Sequence, residues 1–201
     1  AAGLALNRNQ ILQYYMIFGG VPYYWGFLKK GLSLSQNIDS ILFEKDAPLR
    51  DEFKYLYASV FKKPENYVKI IEALGTKKVG MTREEIITAT KIPNSGDLTT
   101  KLEELESCGF IRKYNAFGMK KKNAIYQLMD CFTLFYFKFL KSEPTDEHFW
   151  TNQINTPAVN TWLGLAFERV CMEHVDQIKF KLGISGVLTE VNSWYCKSDP
   201  D

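Results

Sequence analysis

Lys120, Lys121 and Lys122 stand in a row, and Arg112 and Lys113 precede them on a segment that reads as an incoming strand. Five cations this close could hold the phosphates of a nucleic-acid backbone through charge alone. A solvated hairpin tip has the same composition and is the simpler reading. Metal chemistry has a weaker basis. Cys171-x-x-His174 falls inside a predicted helix without a second ligand pair, and Cys108, Cys131 and Cys196 form no C-x-x-C, so no metal site is expected. Reduced, buried thiols of a cytoplasmic protein fit this cysteine usage. Phosphoryl transfer needs a cradle of backbone amides with a lysine and a carboxylate for magnesium. The sequence contains no G-x-x-x-x-G-K-[ST] and no apolar run ending in an acidic pair. No catalytic residue is assigned, and the chain is not expected to hydrolyse ATP alone.

The elements that would present these cations lie between Pro64 and Asp130. Tyr67, Ile70, Ile71 and Leu74 recur at the spacing of an amphipathic helix over 65–74, with Gly75 as its stop. Thr82-Arg83-Glu84-Glu85 has the form of a capping box opening a second helix to about Thr90. The turn formers Lys91-Ile-Pro-Asn-Ser-Gly96 separate it from a third helix beginning near Asp97, with Leu98, Leu102 and Leu105 on one side. Strands are predicted over 110–117 and 124–129, around Gly118-Met-Lys-Lys-Lys-Asn123. Three helices and a two-stranded wing in this order read as a winged helix-turn-helix. Its third helix presents Asp97, Glu103, Glu104 and Glu106 against Lys101 alone. A helix entering a DNA groove should carry the opposite charge. The domain is therefore expected to serve as a spacer or a protein contact.

The 46% hydrophobic and 14% aromatic content of the 201 residues supports packed cores rather than disorder. The net charge of +2 implies neither a nucleic-acid sponge nor an acidic tail. No apolar run approaches the ~20 residues of a membrane span, and a soluble protein is expected. Before residue 64 the chain reads as helical. Asn7 would cap a helix ending at Gly19-Gly20. A second helix is predicted over 22–30, a third over 34–43 and a fourth over 49–61, the last burying Phe53, Leu56, Tyr57, Val60 and Phe61. Gly-Gly-Val-Pro22 would make a rigid corner, because glycine admits positive φ and proline fixes a first helical turn.

The phrase Tyr14-Tyr-Met-Ile-Phe-Gly-Gly-Val-Pro-Tyr-Tyr24, followed by helices, a winged helix and the aromatic helix Cys131–Leu140, resembles the C-terminal half of archaeal-type AAA+ ATPases. In that family the glycine-proline corner belongs to a helical lid on the nucleotide domain. The resemblance implies that Gly20 and Pro22 are the lid residues nearest a nucleotide, with Gly19 setting the corner. It also implies ATP and magnesium as cofactors of the parent protein, though none for this fragment, and a missing N-terminal nucleotide-binding domain as partner.

After a polar, proline-bounded stretch over 141–156 that reads as a linker, a long helix is predicted over 158–181. Its stripe would be Leu163, Phe167, Val170, Cys171, His174, Val175 and Ile178, and a strand over 186–196 would follow. Gly164-Leu-Ala-Phe-Glu168 and Trp194-Tyr195 resemble the opening of that family's restriction-endonuclease-like domain. This implies that Glu168 is the remnant of a nuclease site whose other residues lie beyond Asp201, and that the rest of that domain is a second missing partner. An isolated edge strand could also pair with another copy of the chain.

The expectation is thus a mainly α protein: a helical lid-like bundle over 1–63, a winged helix with its bracing aromatic helix over 64–140, a linker over 141–156, and an incomplete α/β segment over 157–201. Its expected function is to couple nucleotide state to a C-terminal effector. A DNA-binding adaptor using the basic wing and a truncated nuclease are the alternatives.

Overall fold

In the computed structural model, residues 6–115 and 124–189 are described. The protein is mainly helical with a small antiparallel sheet. It divides into two compact units, Ala1–Ser59 with Cys131–Leu182, and Val60–Asp130 with the segment from Gly183. The first unit is therefore discontinuous in sequence.

Helix α1 (Arg8–Phe18) starts at a capping box in which Asn7 and Gln10 satisfy each other's backbone amides. Gly19 ends it at φ 62°, ψ −157°, a conformation closed to residues with a Cβ. Helix α2 (Pro22–Trp25) has four residues, not the nine predicted. The reason is Asn37, buried in α3 (Leu34–Leu42). Its amide takes the Lys29 N–H and donates to the carbonyls of Lys29, Leu32 and Ser33, folding that stretch into a loop. Helix α4 (Glu52–Val60) starts three residues late, because the amide of Leu49 is drawn back to the carbonyl of Ile41. Phe53 and Tyr57 are buried as predicted and Leu56 half-buried, whereas Val60 is exposed.

Helix α8 (Cys131–Phe135) runs into a π-helical turn, Tyr136–Leu140. The two polar interruptions of this apolar segment are resolved differently: the Thr133 hydroxyl meets that of Tyr57 at 2.8 Å in the core, and Lys138 is exposed. Residues 141–156, read as a linker, contain α9 (Phe149–Gln153), whose Trp150 is 2% exposed. The carboxylate of Asp39, also buried, accepts from the amides of Trp150 and Thr151 and from the Thr151 hydroxyl.

The predicted long helix is two helices, α10 (Pro157–Glu173) and α11 (Val175–Lys181), broken at His174. Its buried face is Val159, Trp162, Ala166 and Arg169, so the predicted stripe is displaced. Leu163, Val170 and Cys171 are half-buried, and Phe167 is 48% exposed. The displacement follows from Trp162, which enters an aromatic cluster with Phe135, Phe139 and Trp150 and so sets the helix's rotation. The segment read as the start of a separate α/β domain thus helps to build the first core. Residues 186–189 form no strand, and the rest of the predicted strand lies outside the described residues.

In the second unit α5 (Glu65–Gly75), α6 (Arg83–Thr90) and α7 (Gly96–Ser107) follow the predicted order. Strands β2 (Ile111–Tyr114) and β3 (Ile125–Leu128) pair antiparallel. A third strand, β1 (Met81–Thr82), pairs with the other edge of β3, giving the order β1-β3-β2. Two residues are too few to show alternation, so β1 has no periodic signal. Gly80 makes it possible. At φ +89° its backbone passes so close to β3 that a Cβ would lie 2.4 Å from the Tyr126 carbonyl oxygen.

Gly80→Ala should therefore destabilise the second unit by about 2–4 kcal/mol, combining backbone strain and overpacking. Gly96→Ala, placed in open space, should change stability by less than about 1 kcal/mol. Denaturant unfolding of the two variants checks the contrast.

Candidate functional site

At the corner of the first unit, the indole N–H of Trp25 donates to the Gly19 carbonyl at 2.8 Å, and the Tyr14 hydroxyl donates to the Tyr24 carbonyl at 2.9 Å. Tyr14 stacks on Phe18 and meets Trp25 edge-on. These contacts fold α2 back on α1 and fix the path from Gly19 to Pro22. Burial pushes the Tyr14 phenol far above its ordinary value, so it acts as a neutral donor. Gly20 and Pro22 are exposed, together with Val21 and Tyr23, the latter 62% exposed. A Cβ on Gly20 would meet the Tyr15 ring at an ordinary 3.5 Å, so only Gly19 is conformationally obligatory. Beside the corner, Tyr15 approaches the Glu173 carboxylate at 3.4 Å and the His174 ring edge-on.

In the second unit the turn between α6 and α7 is stapled by Arg83, whose Nε donates to the Asn94 side chain and whose Nη2 donates to the Ser95 carbonyl. Lys91 begins the turn in the left-handed region at φ 57°, and Ile92 is buried beneath it. The capping box predicted at Thr82 is formed, with Glu85 bonded also to Lys77. Nothing in the local pattern around Arg83 announces its role, because its partners lie eleven and twelve residues away.

Helix α7 exposes Asp97, Glu103 and Glu106, and Lys101 is paired with Asp97. Glu104 instead turns inward to accept a short hydrogen bond from the Tyr67 hydroxyl. Tyr67 stacks face to face on Phe61 at 3.9 Å, with Lys101 5.3 Å from its ring centre. Desolvation, then the Glu104 hydrogen bond, push the Tyr67 phenol up to about 12.

Of the predicted phosphate contacts, Arg112 lies in the sheet, donating to Gln127 at 2.8 Å and stacking over Tyr114 at 4.5 Å. Gln127 in turn donates to the Lys78 carbonyl. Lys113 lies beside α7, its amide bonded to Glu106. Lys120, Lys121 and Lys122 lie outside the described residues. Glu168 is exposed on α10, and among the described residues no three metal-ligating side chains converge anywhere. Nor, among those residues, is any helix long and apolar enough to cross a membrane. The chain matches no family model, no curated protein and no solved structure.

The raised Tyr67 phenol carries a pH dependence. The fold favours its protonated form, so this stabilisation is complete below the ordinary value near 10 and is lost as pH rises from there through about 12. Tyr67→Phe should remove that alkaline loss and cost about 1 kcal/mol at neutral pH through the lost hydrogen bond to Glu104. Denaturation midpoints at neutral and alkaline pH, with a phenolate absorbance titration, measure both.

Proposed function

We propose that this chain is the helical lid and winged helix of an archaeal-type AAA+ ATPase, a non-catalytic module that passes nucleotide state to an effector. The observation that carries this reading is the corner at Gly19. A helix stopped in a glycine-only conformation, tied by the Trp25 indole and followed by exposed Gly20, Val21 and Pro22, is a stiff apolar edge. Such an edge suits the flat face of a base held by another domain. ATP and magnesium would act in that nucleotide-binding domain, supplied on the same parent chain.

The second unit supports the same reading. Three helices, a stapled turn and a small three-stranded sheet with the order β1-β3-β2 suit a winged helix. Its third helix is acidic, and Arg112 is already engaged by Gln127 and Tyr114, which favours protein contact over a DNA groove. The chain passes between the two units after Ser59, after Asp130 and after Leu182, so three covalent connections join them. Rigid-body movement of one can be transmitted through these connections.

The test is MgATP turnover by the nucleotide-binding domain, with this chain supplied intact or as Gly19→Ala. Gly19→Ala should lower turnover at least about tenfold, equivalent to ~1.4 kcal/mol, while Gly20→Ala keeps the corner folded. Equal turnover with and without the chain would contradict the proposal. Salt-sensitive binding of duplex DNA that disappears when Lys120, Lys121 and Lys122 become Ala would favour a DNA-binding adaptor instead.

A further inference from the structure

A cleft of ≈ 170 Å³ opens on the first unit. Its apolar wall includes Leu42, Leu140 and a face-to-face pair, Phe53 and Tyr136, with ring centres 3.9 Å apart and planes 2° from parallel. A cavity of roughly 150 Å³ accepts a benzene-sized ring. The space therefore suits one ring or a branched alkyl group carrying a small polar end, and is too small for a nucleotide.

Three features of the rim point to the chemistry of that end. Arg50 is held in one orientation, with Nη1 donating to the Phe43 and Glu44 carbonyls at 2.9 and 3.3 Å and Nη2 reaching the Pro144 carbonyl at 3.5 Å. Those contacts use three of its five N–H groups. The Nε–H and one Nη2–H remain, and this is the edge that pairs side-on with a carboxylate. Lys54 and Asp51 pair with each other at 2.6 Å, so their charges largely cancel. Glu143 is the other anion of the rim, and its charge is also felt by Lys54. It holds a left-handed backbone at φ 49°, which costs a non-glycine residue energy and concentrates at functional sites. It lies three residues beyond the end of the π-helical turn Tyr136–Leu140, another feature frequent at such sites.

A simple carboxylate in this cleft would be repelled by Glu143, and a simple amine by Arg50. A molecule carrying both charged groups on one carbon satisfies both. We propose that this cleft binds a free α-amino acid with an apolar side chain of leucine or phenylalanine size. Arg50 takes the carboxylate, Glu143 takes the ammonium group, and the Phe53–Tyr136 wall receives the side chain. The proposal is independent of the coupling role argued above.

Isothermal titration of the intact protein with L-phenylalanine and L-leucine tests it, against phenylacetate and phenethylamine, which keep the ring and only one charge each. Saturable binding of an amino acid is expected, at least about tenfold tighter than either analogue. Glu143 is exposed, so Glu143→Gln should leave the thermal midpoint unchanged. That variant should weaken phenylalanine at least about tenfold while leaving phenylacetate as tight or tighter. No heat from either amino acid at millimolar concentration, phenylacetate binding as tightly as phenylalanine, or an unchanged phenylalanine affinity in Glu143→Gln would each overturn the proposal.

Discussion

The carboxylate of Asp39 is buried in the first unit, where an unsatisfied ionised group would be costly. It is satisfied by three donors at the start of α9: two amides left free by helix geometry, and the Thr151 hydroxyl. Because those donors lie more than a hundred residues away in sequence, the bond can form only when the two segments of the unit come together. Trp150 is seated by the same contact, and around it gather Phe135, Phe139 and Trp162. A polar interaction thus fixes the register of an apolar cluster that would otherwise have many comparable packings.

The second unit is organised differently, by contacts that brace a short chain against itself. Gly80 lets β1 approach β3, Arg83 closes the turn before α7, and Tyr67 reaches from α5 to Glu104 on α7. The acidic face of α7 is partly consumed by these bonds, since Glu104 serves Tyr67 and Glu106 serves the Lys113 amide. Charge that reads from sequence as a surface property is, at these two positions, part of the scaffold.

Local signals were legible in the sequence. The cap at Asn7, the capping box at Thr82, the stop at Gly19 and the turn over 91–96 have partners within a few residues, so their chemistry is written contiguously. Elements decided by distant partners were not. The brevity of α2 depends on Asn37, the packing of 141–156 depends on Asp39, and the rotation of α10 depends on Trp162 finding Phe135. Polar composition made 141–156 look like a linker because the buried carboxylate that anchors α9 stands in α3. The rim of the small cleft was invisible for the same reason, since Arg50 and Glu143 are brought together by a turn and a π-helical segment that carry no periodic pattern.

A unit assembled from two separate segments of the chain is suited to transmitting movement only if it folds as one body. The central claim is therefore that Asp39 joins 131–182 to the N-terminal helices. Urea unfolding of Asp39→Ala, followed by tryptophan fluorescence together with amide exchange in α5–α7, tests it most directly. The account predicts a loss of about 2–3 kcal/mol in the transition reported by Trp150 and Trp162, with exchange protection in α5–α7 retained. An unchanged transition would contradict it, because α9 and α10 would then be held in place without the buried carboxylate.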